Sequence, residues 1–144
     1  MANEVTVTAA DVRPLGGAIV RRGTATEALA FGDPVYVDSA TGNIPNFSKA
    51  DASAVDALLV GVGIVVAGNP ANPGATSIAV GDPIDVVTHG PVTGYSSMTP
   101  GANIWLSDTV GRLSTVVGTK SCIMGWAESA STLYVNPMAV IKSV

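Results

Sequence analysis

Short apolar segments separated by turns that contain glycine and proline run through most of the chain. Residues 31–44 show the pattern first, because a Gly-Asp-Pro turn leads into an alternating strand at 35–37 and a second glycine, Gly42, returns the chain. Related segments recur at 80–92 and 100–113. Three unevenly spaced occurrences are too few for a solenoid. The pattern therefore predicts hairpins of one compact β domain.

The remaining segments extend this picture to the whole fold. About ten short strands, most of them followed by a turn within about 8 to 12 residues, predict an all-β fold, a compact antiparallel β-barrel or sandwich built of short hairpins. Residues 58–67 are rich in Val and Ile, which is typical of a strand buried on both faces. Gly61 and Gly63 inside this strand indicate a bulge or a close backbone approach. The two Asn-Pro pairs in 68–74 predict a surface loop.

The N-terminal segment differs from the rest of the chain, and we expect residues 1–17 to form an extended arm and residues 18–144 to form a single β domain. Residues 4–8 alternate apolar with polar side chains, the period of a half-buried strand. The glycines at 16–17 predict a flexible joint. Two interpretations stay open, since the segment fits either a first strand in its own sheet or an arm that adds a strand to a neighbour's sheet.

Composition indicates that part of the apolar surface is covered by other molecules. The chain has 144 residues, of which 47% are hydrophobic and 12% charged, against a usual charged share of about 25%. No apolar run approaches the roughly 20 residues that span a bilayer. We therefore expect association with copies of the chain or with a partner, the alternative being a monomer packed with small Ala and Val side chains.

Charge and the N-terminus exclude two further classes of protein. The net charge is −4, and the only dense basic pair is Arg21 with Arg22, which is too little for a nucleic-acid footprint. The first residues lack the basic and apolar regions of a signal peptide. We therefore expect no direct contact with nucleic acid or with a membrane, and synthesis in a cytoplasm.

The residues that catalysis usually needs are scarce. One histidine and one cysteine exclude a multi-histidine metal centre and a structural zinc site, and neither a phosphate loop nor a nucleophile elbow is present. Cys122 is expected to be a small buried hydrophobe, and His89 an exposed residue of a Thr-His-Gly-Pro turn. We therefore predict no enzymatic activity, no cofactor and no metal.

Two other residue classes offer alternatives to this prediction. Five aspartates near the predicted turns are expected to cap those turns, although calcium binding or paired-carboxylate hydrolysis would use the same residues: Asp33, Asp38, Asp82, Asp85 and Asp108. Trp105 and Trp126 lie on two strands near the end of the chain. We expect them in the core or at an oligomer interface, because aromatic residues make up only 5% of the chain and leave little for a sugar-binding platform.

Taken in order, several motifs carry a resemblance. They are Gly-Asp-Pro-Val-Tyr-Val-Asp at 32–38, Gly-Asn-Ile at 42–44, Leu-Val-Gly-Val-Gly-Ile at 59–64, Gly-Asp-Pro-Ile at 81–84, His-Gly-Pro-Val at 89–92, Pro-Gly-Ala-Asn-Ile-Trp-Leu-Ser at 100–107, Gly-Arg-Leu at 111–113, Met-Gly-Trp-Ala at 124–127 and Leu-Tyr-Val at 133–135. Their order resembles the capsid cement, or head-decoration, proteins of tailed bacteriophages. The resemblance covers about residues 18–136 and includes no catalytic motif.

This resemblance implies a function and a location. Cement proteins are small β domains, commonly homotrimers, that bind the outer surface of an expanded phage head where major capsid subunits meet, and they stabilise it against the pressure of packaged DNA. The chain would then be a virion protein whose partners are the major capsid protein and copies of itself. The alternatives are a receptor- or glycan-binding β domain of a phage tail or fibre, which would need an exposed aromatic platform, and a small hydrolase that uses the aspartates.

In related cement proteins an N-terminal extension often contacts the capsid. Carried over by position to residues 2–14, the resemblance implies a set of capsid-binding residues in the arm: Asn3, Glu4, Val5, Thr6, Val7, Val12, Arg13 and Pro14. A chain that lacks residues 2–14 is then expected to fold and to form trimers, but to bind heads poorly.

Overall fold

The computed structural model describes residues 3–53, 62–68 and 75–137, and these residues form an all-β fold. This confirms the predicted fold class. One 3₁₀ helix is present at Ala9–Asp11. The strands are β1 Thr6–Val7, β2 Arg13–Pro14, β3 Ile19–Ala25, β4 Leu29–Ala30, β5 Pro34–Thr41, β6 Ile44–Lys49, β7 Gly63–Ala67, β8 Ser77–Ile78, β9 Pro83–Thr93, β10 Tyr95–Ser96, β11 Asn103–Leu106, β12 Leu113–Ser114, β13 Ile123–Ala127 and β14 Thr132–Val135. In the part of the chain described here, no helix is long and apolar enough to cross a membrane.

Five strands close into a barrel in the order β9, β3, β6, β5, β7 and back to β9. β3 and β6 run parallel, and the other neighbours are antiparallel. Closure satisfies strand edges that an open sheet would leave unpaired. One hydrophobic cluster packs these strands together, and five of its side chains are at most 1% exposed: Phe47, Ile84, Val35, Val65 and Val86.

A second sheet opens away from the barrel in the order β12, β11, β13, β14, β9, and β2 lies on the far side of β9. We call this the open sheet. Its inner face belongs to a second hydrophobic cluster, which includes the fully buried side chains Ile104, Leu106, Met124, Leu133 and Val92. The eleven-residue strand β9 belongs to both units. Its first part pairs with β3 and β7, and its last four residues pair with β14.

The expected turn at Gly90 and Pro91 is wrong, because β9 continues through both residues. At this point the strand changes partners instead of reversing. Gly90 has φ +118°, and a Cβ atom there would lie 2.6 Å from the Cα of Ala18, so the close approach of the N-terminal chain requires glycine. The carbonyl of Pro91 accepts a hydrogen bond from the amide of Leu15 at 2.9 Å. His89 consequently lies in a strand and not in a turn.

Other predicted elements are confirmed where the structure describes them. β5 and β6 form the first hairpin, in which Gly42 takes φ +63°, and β11 pairs with β12 as the predicted hairpin of 100–113. β7 is buried on both faces, and a Cβ atom on Gly63 would lie 2.4 Å from the carbonyl oxygen of Val87. Residues 54–61 and 69–74 lie outside the described residues. They include Gly61 and most of the surface loop predicted at 68–74.

The N-terminal arm is extended apart from its 3₁₀ helix, and it lies along its own domain. β1 pairs with β10 and β2 with β9. Val5 is 4% exposed and Val12 5% exposed, and both belong to the core of the open sheet. Of the two interpretations left open by the sequence, the structure has the strand in the chain's own fold. The loss of residues 2–14 would uncover the core, so the expectation that the shortened chain still folds and forms trimers is corrected.

Candidate interaction surface

The ring of Tyr134 on β14 contacts two other rings on the outer face of the open sheet, Trp126 of β13 and His89 of β9, and we call these three residues the aromatic cluster. Trp126 lies opposite Tyr134 in the strand register, and the two rings stack with centroids 4.8 Å apart and planes 13° from parallel. The ring of His89 meets that of Tyr134 edge to face at 5.3 Å, and its Nδ1 lies 3.5 Å from the Tyr134 hydroxyl. Such pairs contribute about 0.5–1.5 kcal/mol beyond the area they bury.

Strand alternation explains why these rings face outward. Leu133 and Val135 on either side of Tyr134 are fully buried, and so is Ala127 next to Trp126, so Tyr134 and Trp126 point to the opposite face. The indole of Trp126 is 39% exposed. Ile19, which lies opposite His89, is 60% exposed and continues the apolar surface across β9.

Trp105 occupies the same outer face one strand further along. Its neighbours Ile104 and Leu106 are fully buried, while Trp105 itself is half-buried. It pairs with Ile123 of β13, whereas Trp126 pairs with Asn103 of β11, so the two indoles belong to different rows of the sheet. The two tryptophans assigned to an oligomer interface thus share one face of adjacent strands, and their role there stays a prediction.

A polar row borders the aromatic cluster on this outer face. Thr132 lies opposite Thr93, and Thr93 lies opposite Arg13 on its other side. Beyond the end of β13, Glu128 reaches the same row, and its amide donates to the carbonyl of Thr132 at 2.9 Å. The row therefore has a carboxylate at one end and a guanidinium at the other, and both side chains are exposed.

The end of the β5–β6 hairpin is a second unusual surface. From residue 37 to residue 44 every position is exposed, so both faces of the hairpin meet solvent. The apolar side chains include Val37, which is 44% exposed, and Ile44, which is 52% exposed. A lone two-stranded hairpin is marginal in water. This projecting hairpin is therefore a further candidate for contact with a partner.

The aspartates are engaged individually rather than as a group. A carboxylate oxygen of Asp33 accepts a hydrogen bond from the amide of Ala30 at 2.9 Å, and burial, the largest cause, raises the pKa of Asp33 above its usual 3.8. The carboxylate of Asp108 accepts from the amide of Thr119 at 2.7 Å. The capping prediction is confirmed for Asp33, whereas the amide that Asp108 binds lies 11 positions further along the chain. The prediction is wrong for Asp85, which lies within β9 and pairs with Arg22 at 2.8 Å.

No three His, Cys, Asp or Glu residues within the described ranges are close enough together to hold a metal ion. Cys122 is 2% exposed, as expected for a buried hydrophobe. Tyr134 was missed by sequence reasoning because its contacts with Trp126 and His89 depend on pairing between strands. The one available signal was its position between two apolar residues of a predicted strand.

The residues assigned to capsid binding fall into two groups. Val5 and Val12 are buried in the core, and Val7 and Glu4 are half-buried against the body of the domain. The other four are exposed: Asn3, Thr6, Arg13 and Pro14. While the arm is docked, only exposed side chains can meet another protein, and their capsid-binding role stays a prediction.

Comparison with known proteins adds no family to these observations. No family model matches the chain, and no curated protein matches its sequence. The outer face of the open sheet and the projecting hairpin, together with the resemblance of the hairpin motifs, are therefore the basis for assigning a function.

Proposed function

We propose that this chain is a capsid cement protein, a non-catalytic structural protein that binds the outer surface of an expanded phage head at junctions of major capsid subunits and stabilises it. It acts as a homotrimer, its partners are the major capsid protein and copies of itself, and it is located on the outer surface of the virion. It needs no cofactor and contacts neither nucleic acid nor membrane.

The observation that carries this proposal is the amount of apolar side chain left in solvent on flat or projecting surfaces. Trp126 is exposed on the outer face of the open sheet and Ile19 at the adjoining end of β3, and the projecting hairpin exposes Val37 and Ile44. Contiguous exposed apolar patches larger than a few hundred Å² usually mark sites of interaction. A clamp works through buried area, at roughly 25 cal/mol per Å² of apolar surface, and such surfaces suit it better than a cleft.

In the proposed complex the arm contacts the shell while it remains docked. Val5 and Val12 hold it on the domain, and the polar side chains of Asn3 and Thr6 face the capsid subunits. Because several copies in one oligomer bind together, weak contacts made by each arm add up through avidity. A double substitution with Asn3→Asp and Thr6→Lys changes only exposed side chains, and it is therefore a cleaner test of the arm than its deletion.

The direct test is sedimentation of the purified protein with expanded phage heads that lack it, and in parallel with unexpanded proheads. We expect saturable binding to the expanded heads and a higher temperature for their disruption. The Asn3→Asp/Thr6→Lys arm variant should fold normally, as judged by circular dichroism, and bind at least about tenfold more weakly. Absence of binding to expanded heads by the unmodified protein contradicts the proposed function.

A glycan- or receptor-binding domain of a phage tail or fibre is the second candidate, and the aromatic cluster is the observation that favours it. Stacked rings that are partly exposed offer apolar faces to a sugar, and His89 and Asn103 nearby offer hydrogen-bonding groups. A glycan array probed with the unmodified protein and with Trp126→Ala distinguishes the candidates. Binding that disappears in Trp126→Ala supports the second candidate, and no binding to any glycan removes it.

A further inference from the structure

The outer face of the open sheet has two unlike halves. At the β13 end lie Trp126 and the carboxylate of Glu128. At the β2 end lie Arg13 and Leu15. Leu15 is 37% exposed, and its amide donates a hydrogen bond to the carbonyl of Pro91. One half is therefore aromatic and acidic, and the other is aliphatic and basic.

The two charges do not pair with each other within one chain. Glu128 and Arg13 stand at the ends of a row that crosses three strand spacings, which at about 4.8 Å each places their Cα atoms about 14 Å apart. An ion pair needs an N···O distance of about 4 Å or less. An ion pair of the described residues joins Arg22 to Asp85, and it involves neither Glu128 nor Arg13. Both charges consequently remain available to a partner.

We propose that the occupant of this face is a neighbouring copy of the same chain, with the Trp126 half of one copy packed on the Leu15 half of the next and Glu128 of one copy facing Arg13 of the other. This rests on the self-association that is part of the proposed function, and it names the site. Arg13 then belongs to the contact between copies and not to the contact with the shell.

The two halves complement each other, so the proposed contact is head to tail. In a closed ring each copy gives one half of its surface to one neighbour and the other half to the next. A face with opposite charges at its two ends satisfies this requirement at every contact, including the three contacts of a trimer. If the partner were the shell or a sugar, nothing would require Glu128 at one end of the face and Arg13 at the other to have opposite charges.

The parts of this interface have different tasks. Trp126 lies at the apolar centre of the interface, and it is the kind of large aromatic residue that typically dominates binding energy. The charge pair lies at the rim, where it adds little affinity but penalises a mismatch, because like charges placed against each other cost several kcal/mol. Reversing one charge should therefore weaken assembly, and reversing both should restore it.

The experiment is a charge-swap cycle followed by size-exclusion chromatography with light scattering over a range of protein concentrations. We expect the unmodified protein to form oligomers, and Glu128→Arg and Arg13→Glu each to raise the dissociation constant by about tenfold or more. The double variant E128R/R13E should recover assembly to within about threefold of the unmodified protein. Trp126→Ala should leave a monomer with an unchanged circular dichroism spectrum.

A matched control carries the same change of charge elsewhere on the surface. Arg112→Glu before β12 alters an exposed side chain, and this variant should assemble normally. A monomeric unmodified protein overturns the proposal, and so does a double swap that assembles no better than the single swaps. Head binding is measured separately, so a protein that binds heads but ignores the swaps disproves this interface and leaves the cement function standing.

Discussion

The barrel and the open sheet share β9 but expose their strands to very different surroundings. The barrel closes on itself and buries one cluster around Phe47 and Ile84. The open sheet packs only its inner face and leaves the aromatic cluster on its outer face partly in solvent. Closure removes open edges from the barrel, so the barrel has the character of a stabilising unit. The open sheet has a bare face, which is where a partner can add contacts without breaking any.

The shared strand ties these two regions into one unit. β9 gives its first part to the barrel and its end to the open sheet, and the buried Val87 and Val92 both belong to the core of the open sheet. A substitution that destabilises the barrel should therefore also destabilise the open sheet, and the reverse. Substitutions in each region can test this coupling and the contrast between the two faces of the open sheet.

The largest effect is expected from Phe47→Ala, which should lower the free energy of unfolding by about 4 kcal/mol through loss of a fully enclosed ring. Both tryptophans lie in the open sheet, so their fluorescence reports on that region alone, whereas far-UV circular dichroism reports on the whole fold. In urea titrations both signals should shift together. A fluorescence midpoint that stays in place while the dichroism midpoint falls would show that the regions unfold separately.

The two faces of the open sheet should respond unequally to truncation. Leu133→Ala removes a fully buried side chain and should cost about 3 kcal/mol of stability. Trp126→Ala, one strand away on the outer face, should cost about 1 kcal/mol in dilute, monomeric protein, because it loses mainly its stacking on Tyr134. Urea denaturation at low concentration measures both, and equal costs would contradict a bare outer face.

Closure of the barrel should depend on a glycine. A Cβ atom on Gly63 would lie 2.4 Å from the backbone oxygen of Val87, so Gly63→Ala must move β7 away from β9, at a cost of about 2 kcal/mol. Gly16→Ala is the matched control, since nothing lies within 4 Å of a Cβ atom there. Thermal unfolding should show a lower midpoint for the first variant alone, and equal midpoints would argue against tight closure at this point.

The smallest effect is a dependence on pH at the turn before β5. Burial raises the pKa of Asp33, although the hydrogen bond from Ala30 opposes this. The native state thus favours the protonated acid, and the stability this provides is present below the usual pKa of 3.8 and is lost as the pH rises through the raised value. Asp33→Asn lacks this titration. Its unfolding midpoint relative to the unmodified protein should rise between pH 3 and pH 7, and a constant difference would speak against the shift.

Local patterns predicted a good part of these elements. Gly42 and its neighbours specify a hairpin because a turn with positive φ favours glycine, and the apolar run around Ile64 and Val65 specifies a strand buried on both faces. The burial of Cys122 followed from its apolar neighbours. The Gly-Pro pair at 90–91 led to a wrong prediction of a turn, because the same residues that reverse a chain also permit a strand to exchange one partner for another.

The alternation of side chains along each strand was legible from the amino-acid order, and so were the all-β class and the surplus of apolar residues. Which face became core and which stayed bare was decided only when strands distant in the chain paired. Tyr134 and His89 are 45 positions apart, and Val5 joins a core built mainly from the second half of the chain. Periodicity depends on neighbouring residues alone, whereas the choice of partner depends on the packing energy of the whole domain.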